Sequence, residues 1–355
     1  MADRSLFAAE EQSSGWAAKA PDVWMLADDR PGNVNQALGL AEALGEPFTV
    51  KTVGYGQLAR LPNWLLPANL TGLTSATRDT LKAPWPRLVI GAGRRTARVG
   101  RWLKGQHPAL CLVQLMWPGS SEGFDLIAVP EHDRIPDDPV LMRTVGPPHR
   151  LTKERLRRSA DEIKGRLTDL PRPHIACLIG GSSKHVAFTP DDARSLIAGA
   201  KDLADERGGS LLVTTSRRTG VACTEALDAA LKAFGRPYWL HRWQPAGENP
   251  YLGMLGSADA VVVSADSASM CAEACAPGRP VFLHAPKAGV PEKFEILHRR
   301  LAECGCLQPL GAAWFDVEAP PPNPADAIAT AIHAILAAKK AANGVQAVAS
   351  KASAS

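Results

Sequence analysis

The stretch VVVSADSASMCAEACAPGRPV, residues 261–281, decides how the rest of the chain reads. Three valines, Val261 to Val263, lead into Ser264, Asp266, Ser267 and Ser269, and then into an Ala-rich segment with one acid, Glu273. An unbroken apolar triplet suits a strand buried on both faces, and Ser267 to Ala274 suits the helix after it. Serine and aspartate at such a junction are ordinary helix caps. The same junction leaves backbone N–H groups unpaired, and the helix dipole there favours an anion. Taken alone, capping and core packing explain the stretch as well as a ligand does.

Working outward, the alternation of apolar run and helical segment recurs twice. The first half predicts strands at Val23–Ala27, Phe48–Val53, Leu88–Gly91, Leu110–Leu115, Leu126–Val129 and Val140–Val145, with helices at Asn33–Leu44 and Arg94–Leu103. The second half predicts strands at Ile175–Ile179, Leu211–Thr214, Tyr238–Leu240, Ala260–Val263 and Val281–Leu283. Helices at Pro190–Glu206, Cys223–Phe234 and Ser267–Ala274 fall between them. Such a pattern is α/β: two doubly wound, Rossmann-like domains with parallel sheets, facing one another across a cleft. The expected divisions are a disordered start (1–20), a first domain (21–150), a charged linker helix between prolines (151–172), a second domain (173–338) and a disordered Ala/Ser/Lys tail (339–355).

The bulk figures exclude more than they assign. Of 355 residues, 45% are hydrophobic and 21% charged, enough for two packed cores. The net charge of +4 is mild and does not call for nucleic acid, although arginines pair at 94–95, 217–218 and 299–300. Seven cysteines without a CxxC spacing suggest reduced, buried thiols, no metal site and a cytoplasmic setting. The start, MADRSLFAAEEQSSG, lacks the apolar core of a signal peptide, and no apolar run reaches membrane-spanning length. Residues 57–86, with Trp64, Leu65, Leu66 and Leu70 close together, read either as core or as a flap touching the cytoplasmic face of a membrane.

Chemistry is expected at the carboxyl ends of the strands. In the second half, Gly180, Gly181, Ser182 and Ser183 follow the first strand, where paired glycines let backbone amides approach a ligand. Ser216, Arg217 and Arg218 follow the next strand, and the arginines suit a diphosphate. Trp243 suits stacking on a base, and Asn249 begins a helix. Ser267 and Ser269 add hydroxyls at the opening stretch, Glu273 suits a ribose diol, and Asp266 runs counter to phosphate. In the first half, Asp28 and Asp29 are candidate general bases or helix caps, followed by Arg30 and Asn33. Gly93, Arg94, Arg95 and Trp117 lie at two further strand ends of that half. No spaced pair of aspartates suggests a divalent cation.

The passage from Ser267 to Pro280, with small residues before a glutamate and a proline seven residues on, resembles the donor-binding segment of B-type (GT-B) glycosyltransferases. By that resemblance Ser267, Ser269 and Met270 meet the donor diphosphate, and Glu273 binds the ribose. More broadly, ADDRPGNVNQALGLAEAL, VIGAGRRTA, GGSSKH, TTSRRT and ENPYLGMLGSADAVVVSADSASMCAEA are similar to motifs of bacterial relatives of the plant mitochondrial-fission (elongated-mitochondria) family. The likeness spans roughly Val23 to Pro286 and implies a GT-B-like fold and glycosyl transfer. The expected partners are a nucleotide-diphosphate sugar as substrate, with no cofactor, and a lipid-linked or envelope glycan as acceptor. A non-catalytic adaptor at a membrane and a sugar-nucleotide 2-epimerase stand as the alternatives.

Overall fold

A computed structural model describes residues 22–56, 70, 72–245 and 247–352. The expected disordered start lies outside the described residues, as do residues 57–69 and 71 of the proposed flap; in the rest of that segment Leu73 and Leu81 are buried in the first half's core, and Leu70 and Trp85 pack against it. The chain opens with β1 (Val23–Ala27), α1 (Pro31–Ala43), β2 (Thr49–Thr52), α2 (Ser75–Thr80), β3 (Leu88–Ala92) and α3 (Gly93–Gln106). Three strands follow, β4 (Cys111–Leu115), β5 (Leu126–Pro130) and β6 (Leu141–Thr144). These form one parallel six-stranded sheet ordered β2-β1-β3-β4-β5-β6. Strands β1, β3, β4 and β5 are buried along their full length, which is why they read as continuous apolar runs.

The second half runs α4 (Lys153–Ile163), β7 (His174–Leu178), α5 (Pro190–Asp205), β8 (Ser210–Thr214), α6 (Gly220–Lys232) and β9 (Tyr238–His241). It continues through α7 (Tyr251–Ser257), β10 (Ala260–Ser264), α8 (Ala268–Cys275), β11 (Val281–His284), α9 (Glu292–Glu303) and β12 (Leu307–Pro309). Its six strands are also all parallel, in the order β12-β11-β10-β7-β8-β9. Three elements were not expected from the sequence: α2 in the first half, and α9 and the three-residue edge strand β12 in the second.

Two segments sit elsewhere than their place in the chain suggests. The linker helix α4 is part of the second domain: Leu156 and Ile163 are buried, and α4 lies against α7. Gly253 and Gly256 permit that contact, since a Cβ at Gly256 would stand 2.4 Å from the Leu156 carbonyl oxygen. The last helix, α10 (Pro324–Ala352), begins within the expected second domain (173–338), runs into the stretch expected as a disordered tail, and covers the first sheet. Ile328, Ala329 and Ile332 join the core built by β1, β3, β4 and α1, because that face would otherwise leave Val23, Met25 and Ile90 uncovered. Ion pairs then span the halves: Arg300 with Glu131 and Arg134 with Glu292, each at 2.6 Å. No helix among the described residues is long and apolar enough to cross a membrane.

Candidate functional site

In each sheet the chain first winds to one side and then resumes on the other, which opens a crevice beyond the strand ends at the reversal. The reversals lie between β7 and β10 in the second sheet and between β1 and β3 in the first. The loops after β1, β3, β7 and β10, singled out from sequence, lie at these two places, and those after β4, β8 and β9 lie at neighbouring strand ends.

At the second reversal, Asp266 resolves the puzzle of a carboxylate in a supposed anion site. It is 2% exposed, accepts from the Gly181 amide at 3.1 Å and from the Ser264 hydroxyl at 2.6 Å. Arg218 donates to its carboxylate at 2.6 Å and to the Gly181 carbonyl at 3.0 Å. The Ser264 hydroxyl also accepts from the Gly180 amide at 2.8 Å. A buried carboxylate is costly unless paired and hydrogen bonded, and this one is both. Three loops, after β7, β8 and β10, are thereby tied into one unit. Arg218 is consumed in that tie rather than left for a diphosphate.

The glycines serve the same packing. A Cβ at Gly180 would fall 2.2 Å from the Asp266 carboxylate, and one at Gly181, whose φ is +136°, would fall 2.2 Å from the Arg218 carbonyl oxygen. Several hydroxyls are also committed to local structure. Ser182 bonds both backbone polar groups of Phe188, and Ser183 accepts from the His185 and Val186 amides. Ser216 donates to the Gly180 carbonyl, Ser267 caps α8 by accepting from Met270, and Asn249 accepts from the Tyr251 amide. Met270 packs against the core beneath α8. Uncommitted at this edge among the described residues are the exposed Arg217 and Lys184, the Ser269 hydroxyl and the Ala268 and Ser269 amides at the start of α8.

Glu273 lies on α8 and accepts from the Tyr251 hydroxyl at 2.7 Å. Burial pushes its carboxyl above the usual carboxylate range, partly offset by that hydrogen bond and by Arg155. Tyr251 and Arg155 were missed from sequence, since both lie far along the chain from Glu273.

Beside the tie, a cavity of about 480 Å³ opens at the ends of β8 and β9. Thr215, Ser216 and Arg217 form its floor, Val221, Thr224, Glu225 and Asp228 of α6 one wall, and Arg242 and Trp243 the other. Trp243 is 41% and Val221 75% exposed, the exposed large apolar side chains among the described residues. An uncovered indole and valine sharing one concavity are the features of a stacking site.

At the first reversal Asp28 is buried and accepts from the Arg30 amide at 3.0 Å and the Asn33 side chain at 2.9 Å. Asp29 is exposed and pairs with Arg95 at 2.6 Å. Gly93 begins α3 at φ +80°, close against the Asn33 amide. Arg30 and Arg94 point to solvent, and Trp117 packs on the first core. Tyr55, unnoticed in sequence, lies under the Arg95 guanidinium at 5.2 Å, and its buried hydroxyl has no hydrogen-bond partner among the described residues. Burial and then the Asp28 charge push that phenol well up. Among the described residues no three His, Cys, Asp or Glu side chains group to hold a metal ion.

The model of the mitochondrial fission ELM1 family matches residues 31–336. The uncharacterized protein RP120 of Rickettsia prowazekii is 28% identical over 319 residues, covering 79% of this chain and 88% of its own. The mitochondrial fission protein ELM1 of Arabidopsis thaliana is 27% identical over 245 residues, covering 62% of this chain and 56% of its own. Among solved structures, the UDP-GlcNAc 2-epimerase of Methanocaldococcus jannaschii aligns over 88% of this chain and 99% of its own, with a TM-score of 0.49 and 13% identity.

Proposed function

The chain belongs to the mitochondrial fission ELM1 family, and from that premise we propose that it is a glycosyltransferase that uses a nucleotide-diphosphate sugar without a metal ion. The observation that carries the reading is the braced junction at β7 and β10, with an open, indole-lined cavity beside it and unpaired donors at the same sheet edge. Trp243 takes the base, and Glu273 accepts from the ribose diol. The α8 amides, Ser269, Arg217 and Lys184 receive the diphosphate. Those groups are N–H donors and cations, so charge developing on the departing diphosphate meets fixed positive ends in the place a divalent ion would occupy. Gly180, Gly181 and Arg218 act through the brace, by keeping the α8 entry and the β8 loop in register.

On the facing side, Asp29 is the better placed base, being exposed where Asp28 is buried and doubly bonded. The acceptor O–H proton passes to the Asp29 carboxylate as the acceptor oxygen bonds the anomeric carbon and the bond to the diphosphate breaks. Arg30, Asn33, Arg94, Arg95 and Trp117 border the acceptor position, and the acceptor is a lipid-linked or envelope glycan. The enzyme would work on the cytoplasmic side of a membrane, touching it through Trp64, Leu65 and Leu66 of the 57–86 segment. Titration calorimetry with nucleoside diphosphates tests this reading. Trp243→Ala is expected to weaken binding about tenfold or more while leaving the melting temperature unchanged. Absence of any nucleotide binding would sink the enzyme and leave the adaptor.

A further inference from the structure

The cavity beside the brace carries more information than a stacking surface. Its wall holds two carboxylates with different fates. Asp228 is engaged by Arg242 at 2.7 Å and by Lys232 at 2.9 Å. Glu225, also exposed in that wall, has neither a hydrogen bond nor an ion pair among the described residues. Arg242, held by Asp228 through one nitrogen, keeps further N–H donors for the cavity. Arg217, on the floor, is likewise unpaired among the described residues.

A lone carboxylate in such a cavity discriminates between bases. It accepts only, so it favours a base edge that presents N–H groups and is repelled by carbonyls. Uracil and thymine offer one ring N–H flanked by two carbonyl oxygens. Cytosine and adenine offer an amino group beside a bare ring nitrogen. Guanine alone sets a ring N–H and an amino group side by side, two parallel donors that match the two oxygens of one carboxylate. Its opposite edge presents O6 and N7, the pair that guanidinium groups read best. We infer that this cavity is a guanine site, in which Glu225 accepts from the Watson–Crick edge, Arg242 faces the O6/N7 edge and Trp243 stacks on the ring. The inference rests on the donor-site reading above and narrows it to a guanosine-diphosphate sugar.

The test is calorimetric titration of the full chain with GDP, ADP, CDP and UDP, repeated on Glu225→Gln and Trp243→Ala. GDP is expected to bind about 10- to 100-fold tighter than UDP. Glu225→Gln should erase that preference by weakening GDP about tenfold, with little change for UDP. Trp243→Ala should weaken all four together. Both side chains are exposed, so the melting temperatures should not move. If UDP binds as tightly as GDP and Trp243→Ala weakens both, the guanine inference is overturned while the nucleotide site stands. A GDP preference untouched by Glu225→Gln overturns the role of Glu225. If none of the four binds, the inference and the donor-site reading fall together.

Discussion

Each half of the molecule sets an aspartate just past a strand at its chain reversal, and the two are put to different uses. Asp28, one residue beyond β1, bonds only within its own loop, to the Arg30 amide and the Asn33 side chain. Asp266, two residues beyond β10, reaches across the sheet to the loops after β7 and β8. The first is local capping and the second is a cross-brace. Three loops of the second half are therefore tied together through one buried carboxylate. The corresponding loop of the first half is held by a surface pair, Asp29 with Arg95, that water competes for.

The comparison can be broken most directly by deleting each carboxylate. Asp266→Ala should cost about 3–5 kcal/mol of unfolding free energy in denaturant titration, since it strands Arg218, the Gly181 amide and the Ser264 hydroxyl. Asp28→Ala should cost only about 1–2 kcal/mol. Equal losses would mean that the brace is no brace.

Next in size is an effect of acidity on the contact between the halves. Buried His298 of α9 touches Cys271 of α8, and its pKa is held down to about 4, by burial first and then by His132 in the first half. Burial also lowers His132. A histidine depressed in the folded state leaves the unfolded chain binding the extra proton, so stability is whole above about pH 6.5 and drains as the pH falls towards 4. The His298 share is at most about 3 kcal/mol, read as the slope of melting temperature against pH. His298→Phe should flatten that slope, and an unchanged slope would place the acid sensitivity elsewhere.

Glycine substitutions sharpen the contrast at about 2 kcal/mol or somewhat more. Gly181→Ala must accept both a left-handed φ and a backbone clash with Arg218, and should destabilise by roughly that amount. Gly32→Ala, on α1 with nothing within 4 Å, should be neutral or slightly stabilising.

The smallest stability effect belongs to Asp29→Asn, within about 1 kcal/mol because its ion pair is exposed. If Asp29 is the base, glycosyl transfer should nonetheless fall at least about 100-fold in the same variant, with nucleotide binding kept. Parallel loss of stability and binding would make Asp29 structural.

Much of the architecture is legible in the chain because strands buried on both faces advertise themselves as unbroken apolar runs. Val23–Ala27 lies where its pattern puts it, and so does Val261–Val263 within β10. Helix α9 escaped because its apolar positions, Leu297 and Leu301, are diluted by charge, and β12 is only three residues long. The candidate site was legible as a set of loops, since glycine, serine and arginine after a strand mark a strand end whatever they do there. Their individual tasks were not, because a serine that caps a turn and one that faces a ligand look identical in a one-dimensional string.

The amino-acid order by itself determined two parallel α/β units and which loops meet at their carboxyl edges, through hydrophobic periodicity and turn chemistry that act over a few residues. Only the tertiary structure decided that α10 covers the first sheet, that Asp266 braces rather than binds, and that Glu225 is left unpaired in the Trp243 cavity. Those outcomes turn on which groups, tens or hundreds of residues apart, satisfy one another first. Burial and pairing settle that in three dimensions, where sequence neighbours have no say.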